Sequence, residues 1–154
     1  MKILILNGPN LNLTGKRETN IYGSVPFESY VKLLRSFFPD HEIVYFQSNM
    51  EGEIINRLQE ANEDQEGVIL NAAGYTHTSV AIADAVKAMN IPVVEVHISN
   101  ILAREGYRHI SLIAPHCAGS VFGFGLDSYR LALTWFGFEK GKTQQIPRPE
   151  GRGN

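Results

Sequence analysis

"GVILNAAGYTHTSVAIADAVKAM" (67–89) opens with an apolar run that ends at Asn71, crosses a polar, glycine-containing turn and enters a stretch of helical period. It reads as a strand, a loop and a helix in succession. The strand shows no polar alternation, as a strand covered on both faces requires. Three further runs share that character, "KILILN" (2–7), "EIVYFQ" (42–47) and "IPVVEV" (91–96), and "ISLIA" (110–114) reads as a fifth. Such strands alternating with helices predict a parallel sheet between two helical layers.

The helices carry their own start and stop signals. Pro26 suits the first turn of a helix through "FESYVKLLRSFF" (27–38), which Pro39 ends. Ser48 and Glu51 have the spacing of a capping box ahead of "EIINRLQEAN" (53–62). In "TSVAIADAVKAM" (78–89), Val80, Ala81, Ala83 and Val86 form a small-residue apolar face, and "GLDSYRLALTWFG" (125–137) is expected to stop at Gly137. Five strands and four helices predict a flavodoxin-like, doubly wound α/β sandwich with a five-stranded parallel sheet. Residues 1–138 are expected to form one catalytic α/β domain. The polar, Gly- and Pro-rich segment 139–154 has little to bury and is expected to be a mobile tail.

Composition narrows the function classes. With 154 residues, 44% hydrophobic, 19% charged and a formal net charge of -2, neither sign of charge dominates. Nucleic acid and membrane are therefore not expected as partners. The opening apolar run is too short for a signal core or a span. Cys117 is the single cysteine and no Cys/His pair has ligand spacing, so the expectation is no metal and a reducing cytoplasm.

In an open α/β sheet, sites form beyond the carboxyl ends of the strands, and here those loops are polar. The connection after the first strand, residues 7–24, far exceeds the usual roughly two to six residues. It holds Asn7, Asn10 and Asn12, glycines at 8, 15 and 23, and the segment "GKRETNIYG" (15–23) with Arg17 and Tyr22. Either this is a functional lid or a surface loop braced by Asx-turns. Neither G-x-x-x-x-G-K-[ST] nor G-x-G-x-x-G occurs, which argues against a nucleotide and against a flavodoxin-like mononucleotide binder.

After the third strand, "NAAGYTHTS" (71–79) offers Asn71, His77 and hydroxyls at a helix N-terminus. Thr76 or Thr78 could equally be only an N-cap, with His77 a solvated neighbour. After the fourth, "EVHISN" (95–100) places Glu95 on the same side of the strand as His97, where the carboxylate could orient the imidazole. "LAREGYRH" (102–109) adds arginines suited to two-point carboxylate binding; Arg104 reads as an ordinary surface arginine. A serine triad lacks its G-x-S-x-G elbow. What remains is acid/base chemistry on a small, hydroxylated, anionic molecule.

Taken together, "NGPNLNLTGKRE…YG", "NAAGYTHTSVAIADA", "EVHISN", "AREGYRH" and "GFGLDSYRLAL" closely resemble type II 3-dehydroquinate dehydratase. The resemblance implies a lyase of the shikimate pathway of aromatic biosynthesis, a cytoplasmic dodecamer built from trimers. It implies reversible anti-elimination of water from 3-dehydroquinate, through an enolate, with no cofactor. By position Tyr22 corresponds to the base, His97 to the acid, Arg17 to the lid arginine, and Asn10 and Asn12 to loop residues near the enolate water. Asn71, His77, Ile98, Ser99 and Arg108 fall on substrate-binding positions, and Asp84 on an aspartate that reaches a neighbouring subunit's site. Retention of these side chains argues against a catalytically silent relative. The usual third motif reads "NPGAYTHTS" or "NAGAYTHTS"; in this chain the glycine stands one place later, and the backbone beside Asn71 is expected to differ.

Overall fold

The computed structural model describes residues 1–14 and 26–140. Arg17, Tyr22 and segment 141–154 lie outside the described residues. Strands β1 (Lys2–Asn7), β2 (Glu42–Gln47), β3 (Gly67–Asn71), β4 (Val93–His97) and β5 (Gly119–Phe122) form one sheet in the order β2-β1-β3-β4-β5. All four pairings are parallel. Helices α1 (Phe27–Phe37), α2 (Glu51–Asp64), α3 (Val80–Lys87) and α4 (Asp127–Lys140) cover the two faces. This is the flavodoxin-like sandwich expected from the sequence.

Alternation along β1 explains the two layers. Ile3 and Ile5 point into a core with Phe27, Val31 and Leu34 of α1 and Tyr129, Leu133 and Phe136 of α4. Leu4 and Leu6 point the other way, against Ile54 and Leu58 of α2 and Ile82 and Val86 of α3. Each such fully buried aliphatic side chain stabilises the fold by about 1.5–3 kcal/mol. Gly67 is required in β3 because a Cβ there would stand 2.4 Å from the Phe136 ring.

Four local expectations are corrected. The fifth strand is 119–122, paired from Val94↔Gly119 to His97↔Phe122, whereas 110–114 is irregular. Tertiary contacts override the strand propensity of "ISLIA". Ser111 turns back to Glu95, the Leu112 N–H donates to Thr76 O at 2.9 Å, and Ile113 is buried before a 3-10 turn at Ala114–His116. No capping box forms at Ser48, because Glu51 instead accepts a hydrogen bond from Ser79 on the next helix at 2.6 Å. In α3 the buried face is Ile82, Ala83 and Val86, while Val80 and Ala81 are exposed, a register set by the Ser79 cap on the Ile82 N–H. Helix α4 runs past Gly137 to Lys140, since a helix interior tolerates one glycine at roughly 0.5–1 kcal/mol.

Among the described residues no helix is long and apolar enough to cross a membrane. None of their His, Cys, Asp and Glu side chains group in threes or more to hold a metal ion.

Candidate active site

The chain leaves β1 for the edge strand β2 and returns to β3, so strand direction of growth reverses between β1 and β3. A crevice opens at the carboxyl ends there. The two loops are tied together by the Gly8 N–H donating to Asn71 O at 2.7 Å. Gly8 permits this approach, since a Cβ would stand 2.7 Å from the Ala72 carbonyl oxygen.

Here a cavity of about 170 Å³ gathers Asn10, Asn71, His77, His97, Ile98, Ser99 and Arg108. Seven of the sequence-derived candidates thus meet, from loops far apart in the chain. Glu95 stands behind His97. Asn12 and Asp84 are exposed and outside the cavity lining of this chain.

Several of the polar side chains are fixed by hydrogen bonds to the surrounding frame. The Asn71 amide donates to the Tyr129 hydroxyl at 2.9 Å and accepts from the Ala73 N–H at 3.1 Å. The Tyr129 hydroxyl in turn donates to Asn7 Oδ1 at 2.8 Å. Burial pushes the Tyr129 hydroxyl well above its ordinary pKa, and it serves as a neutral link. Asn71 therefore keeps one amide hydrogen and one carbonyl lone pair for a ligand.

His77 and His97 stack with ring centroids 6.2 Å apart and planes at 22°. His77 Nδ1 lies 2.7 Å from the Ile110 carbonyl, which fixes that nitrogen as the protonated one and leaves Nε2 as an acceptor. Its pKa is lowered, chiefly by burial and further by His97 and Arg108, although the Ile110 carbonyl acts the other way. His77 is thus a neutral hydrogen-bonding group at pH 7.

His97 Nε2 comes within 3.3 Å of Glu95 Oε2, and both side chains are almost fully buried. The contact is close enough for an ion pair yet too poorly aligned to satisfy the ring nitrogen, which has no other partner among the described residues. At this separation in a dry site the attraction between the carboxylate and an imidazolium depends only weakly on angle. Burial would raise the Glu95 pKa, but His97, Ser111 and Ser120 together outweigh it and hold the carboxyl below its usual range.

Arg108 is anchored by Glu105, Nε to Oε2 at 3.0 Å, with its guanidinium 5.3 Å from the Tyr107 ring centroid. Arg104 departs from the surface role expected of it. Its side chain is 16% exposed, lines the cavity, and reaches Ser99 Oγ at 3.5 Å. Two cations therefore flank a polar pocket that also holds a buried acid/base pair. Such a site suits an anionic, hydroxylated molecule from which a proton is moved.

A doubly wound α/β protein whose crevice is lined by arginines and by a histidine backed by a buried carboxylate is an acid/base catalyst in form. The family model described as Dehydroquinase class II matches residues 1–137, and the chain belongs to that family. The 3-dehydroquinate dehydratase of Sulfurovum sp. is 52% identical over 135 residues, 86% of this chain and 83% of that one. That of Caldicellulosiruptor bescii is 53% identical, covering 86% of this chain and 93% of its own. The crystal structure of type II dehydroquinase from Butyrivibrio crossotus superposes with a TM-score of 0.86 at 43% identity, covering 89% of this chain and 97% of that one.

Proposed function

We propose that this protein catalyses the reversible anti-elimination of water from 3-dehydroquinate to 3-dehydroshikimate, the third step of the shikimate pathway, through an enolate. The observation that carries this reading is the buried Glu95–His97 pair at 3.3 Å, opening on a pocket flanked by Arg104 and Arg108, in a chain of this family. His97, on the rigid end of β4, delivers the proton to the departing hydroxyl, and Glu95 stabilises the imidazolium form. Asn71, the neutral His77, the Ile98–Ser99 segment and Arg108 bind the substrate's hydroxyls and carboxylate.

Tyr22 is proposed as the base that removes the proton beside the ketone, with Arg17 as its activator. A tyrosine with a pKa of about 10 is ionised about one part in a thousand at neutral pH. A nearby guanidinium in a closed site can lower it by roughly 2–3 units, equal to about 3–4 kcal/mol. Asn10 and Asn12 are assigned to the enolate side, and Asp84 to the site of a neighbouring copy. The protein works without metal or cofactor, as a cytoplasmic dodecamer built from trimers.

The test is the ultraviolet absorbance of the conjugated enone when protein and a metal chelator are added to 3-dehydroquinate. Wild type is expected to generate the signal, with Tyr22→Phe and His97→Ala each slower by about 10²–10⁴-fold. A folded wild type that makes no enone overturns the reading. Full activity in His97→Ala removes the acid from its role.

A further inference from the structure

Glu95 is 1% exposed, and the two oxygens of its carboxyl group each meet a serine hydroxyl. Ser111 Oγ donates to Oε2 at 2.5 Å, on the oxygen that also faces His97. Ser120 Oγ donates to Oε1 at 2.8 Å. The Ser111 oxygen itself accepts from the Ala114 N–H at 3.0 Å, so a backbone amide points its hydroxyl hydrogen at the carboxylate. Neither serine lines the cavity.

We propose that Ser111 and Ser120 are positioning residues that hold Glu95 as an oriented carboxylate, so that the proton needed for elimination stays on His97 and is not taken by Glu95. This rests on the acid role proposed for His97. A buried carboxylate stripped of donors is a strong base, and a neighbouring imidazolium 3.3 Å away is the nearest proton source. Two neutral hydroxyls lower that basicity and add no positive charge to compete with the imidazolium. A lysine or arginine in their place would pair with Glu95 and leave His97 without its counter-charge.

Beyond His97, whose contact is the largest influence holding the carboxyl low, the surroundings leave the task to these hydroxyls. Glu95 is faced by His97 on its own strand, by Cys117 from the segment before β5, and at longer range by His77. The Cys117 thiol is pushed up to about 12, by burial first and then by Glu95, and is neutral across the working range. His77 is held neutral as described. The irregular path of 110–118 also finds its reason here: a regular strand at 110–114 would not turn Ser111 onto the carboxylate.

The decisive measurement is infrared spectroscopy of the full-length protein with 13C-carboxyl glutamate, the Glu95 bands assigned by difference against Glu95→Gln, combined with steady-state kinetics. Variants are S120A, S111A/S120A and S111T/S120T. Ser120 sits on the exposed edge strand, so S120A keeps the test open should the double variant fail to fold. In wild type Glu95 is expected to give carboxylate bands from pH 5 to 8. S111A/S120A is expected to show a protonated-carboxyl band at pH 7 and to lower kcat by about tenfold or more, with KM within about twofold, S120A falling between. Restored hydroxyls in S111T/S120T should bring back the carboxylate and most of kcat. Carboxylate bands that persist in the alanine variants overturn the proposal, whether kcat is unchanged or falls. Loss of the acid role itself would appear separately, as turnover retained in His97→Ala.

Discussion

At Tyr129 one hydroxyl joins two amides, accepting from Asn71 and donating to Asn7. Tyr129→Phe keeps the ring in its core against Phe27 but strands an amide hydrogen and an oxygen in a dry site. The cost is expected to be about 1–3 kcal/mol, a fall of roughly 2–4 °C in Tm per kcal/mol in thermal unfolding. Because Asn71 is then held only through the Ala73 N–H, its amide is less firmly oriented toward the cavity, and KM for 3-dehydroquinate is expected to rise more than kcat falls. An unchanged KM would make the link purely structural. Asn71 and His97 were legible in the sequence because polar residues ending apolar strands stand out, and His77 because it sits in a polar turn at a helix N-terminus. Tyr129 was not, because its spacing places it on an apolar helix face and a hydroxyl there looks incidental. Arg104 escaped for the opposite reason, since an arginine in a polar loop has no sequence mark of burial.

The turn between β3 and α3 shows the same division at the level of an element. Its strand and helix were readable, whereas its backbone conformation emerges only in the fold. Ala73 has φ 52°, in the left-handed region that costs an L residue about 1–2 kcal/mol. The strain persists because the Ala73 N–H holds Asn71 Oδ1. Gly74, next in line, has no positive φ, and nothing lies within 4 Å of a Cβ placed there. The glycine displaced in this chain's "NAAGYTHTS" therefore stands beside the position that needs it. Exchanging the two, A73G/G74A, relieves the strain and leaves the number of glycines, and with it the unfolded-chain entropy, unchanged. The expected gain is about 1 kcal/mol, read as a rise of roughly 2–4 °C in Tm. A lower Tm would show that Ala73 is held there without strain. The fifth strand marks the other limit of element-level reading: "ISLIA" has the better strand composition, but "GSVF" takes the edge because the former is drawn over Glu95.

For the whole molecule the buried ionisable groups set a pH window of stability. His77 has a folded pKa below 6.5, so the unfolded chain binds the extra proton, and stability present above 6.5 is lost as pH falls. Glu95 is held below 4.5, and its share is complete above 4.5 and lost as pH falls through the folded value. On the alkaline side Cys117 rises from 9.0 to about 12 and Tyr45 from 10.0 to about 12, both chiefly by burial. For these the folded state keeps a proton that the unfolded chain gives up, so stability falls as pH climbs past 9.0 and then 10.0. Urea midpoints measured from pH 3 to 11 are therefore expected to peak between about 6.5 and 9, with an acid limb that steepens near 4.5. Glu95→Gln should flatten that steeper part and leave the descent below 6.5 in place, while Cys117→Ser should delay the alkaline descent. If the acid limb of Glu95→Gln retains its full slope below 4.5, the carboxylate is not the group whose protonation unfolds the protein, and the buried pair behind the site is not a determinant of its acid stability.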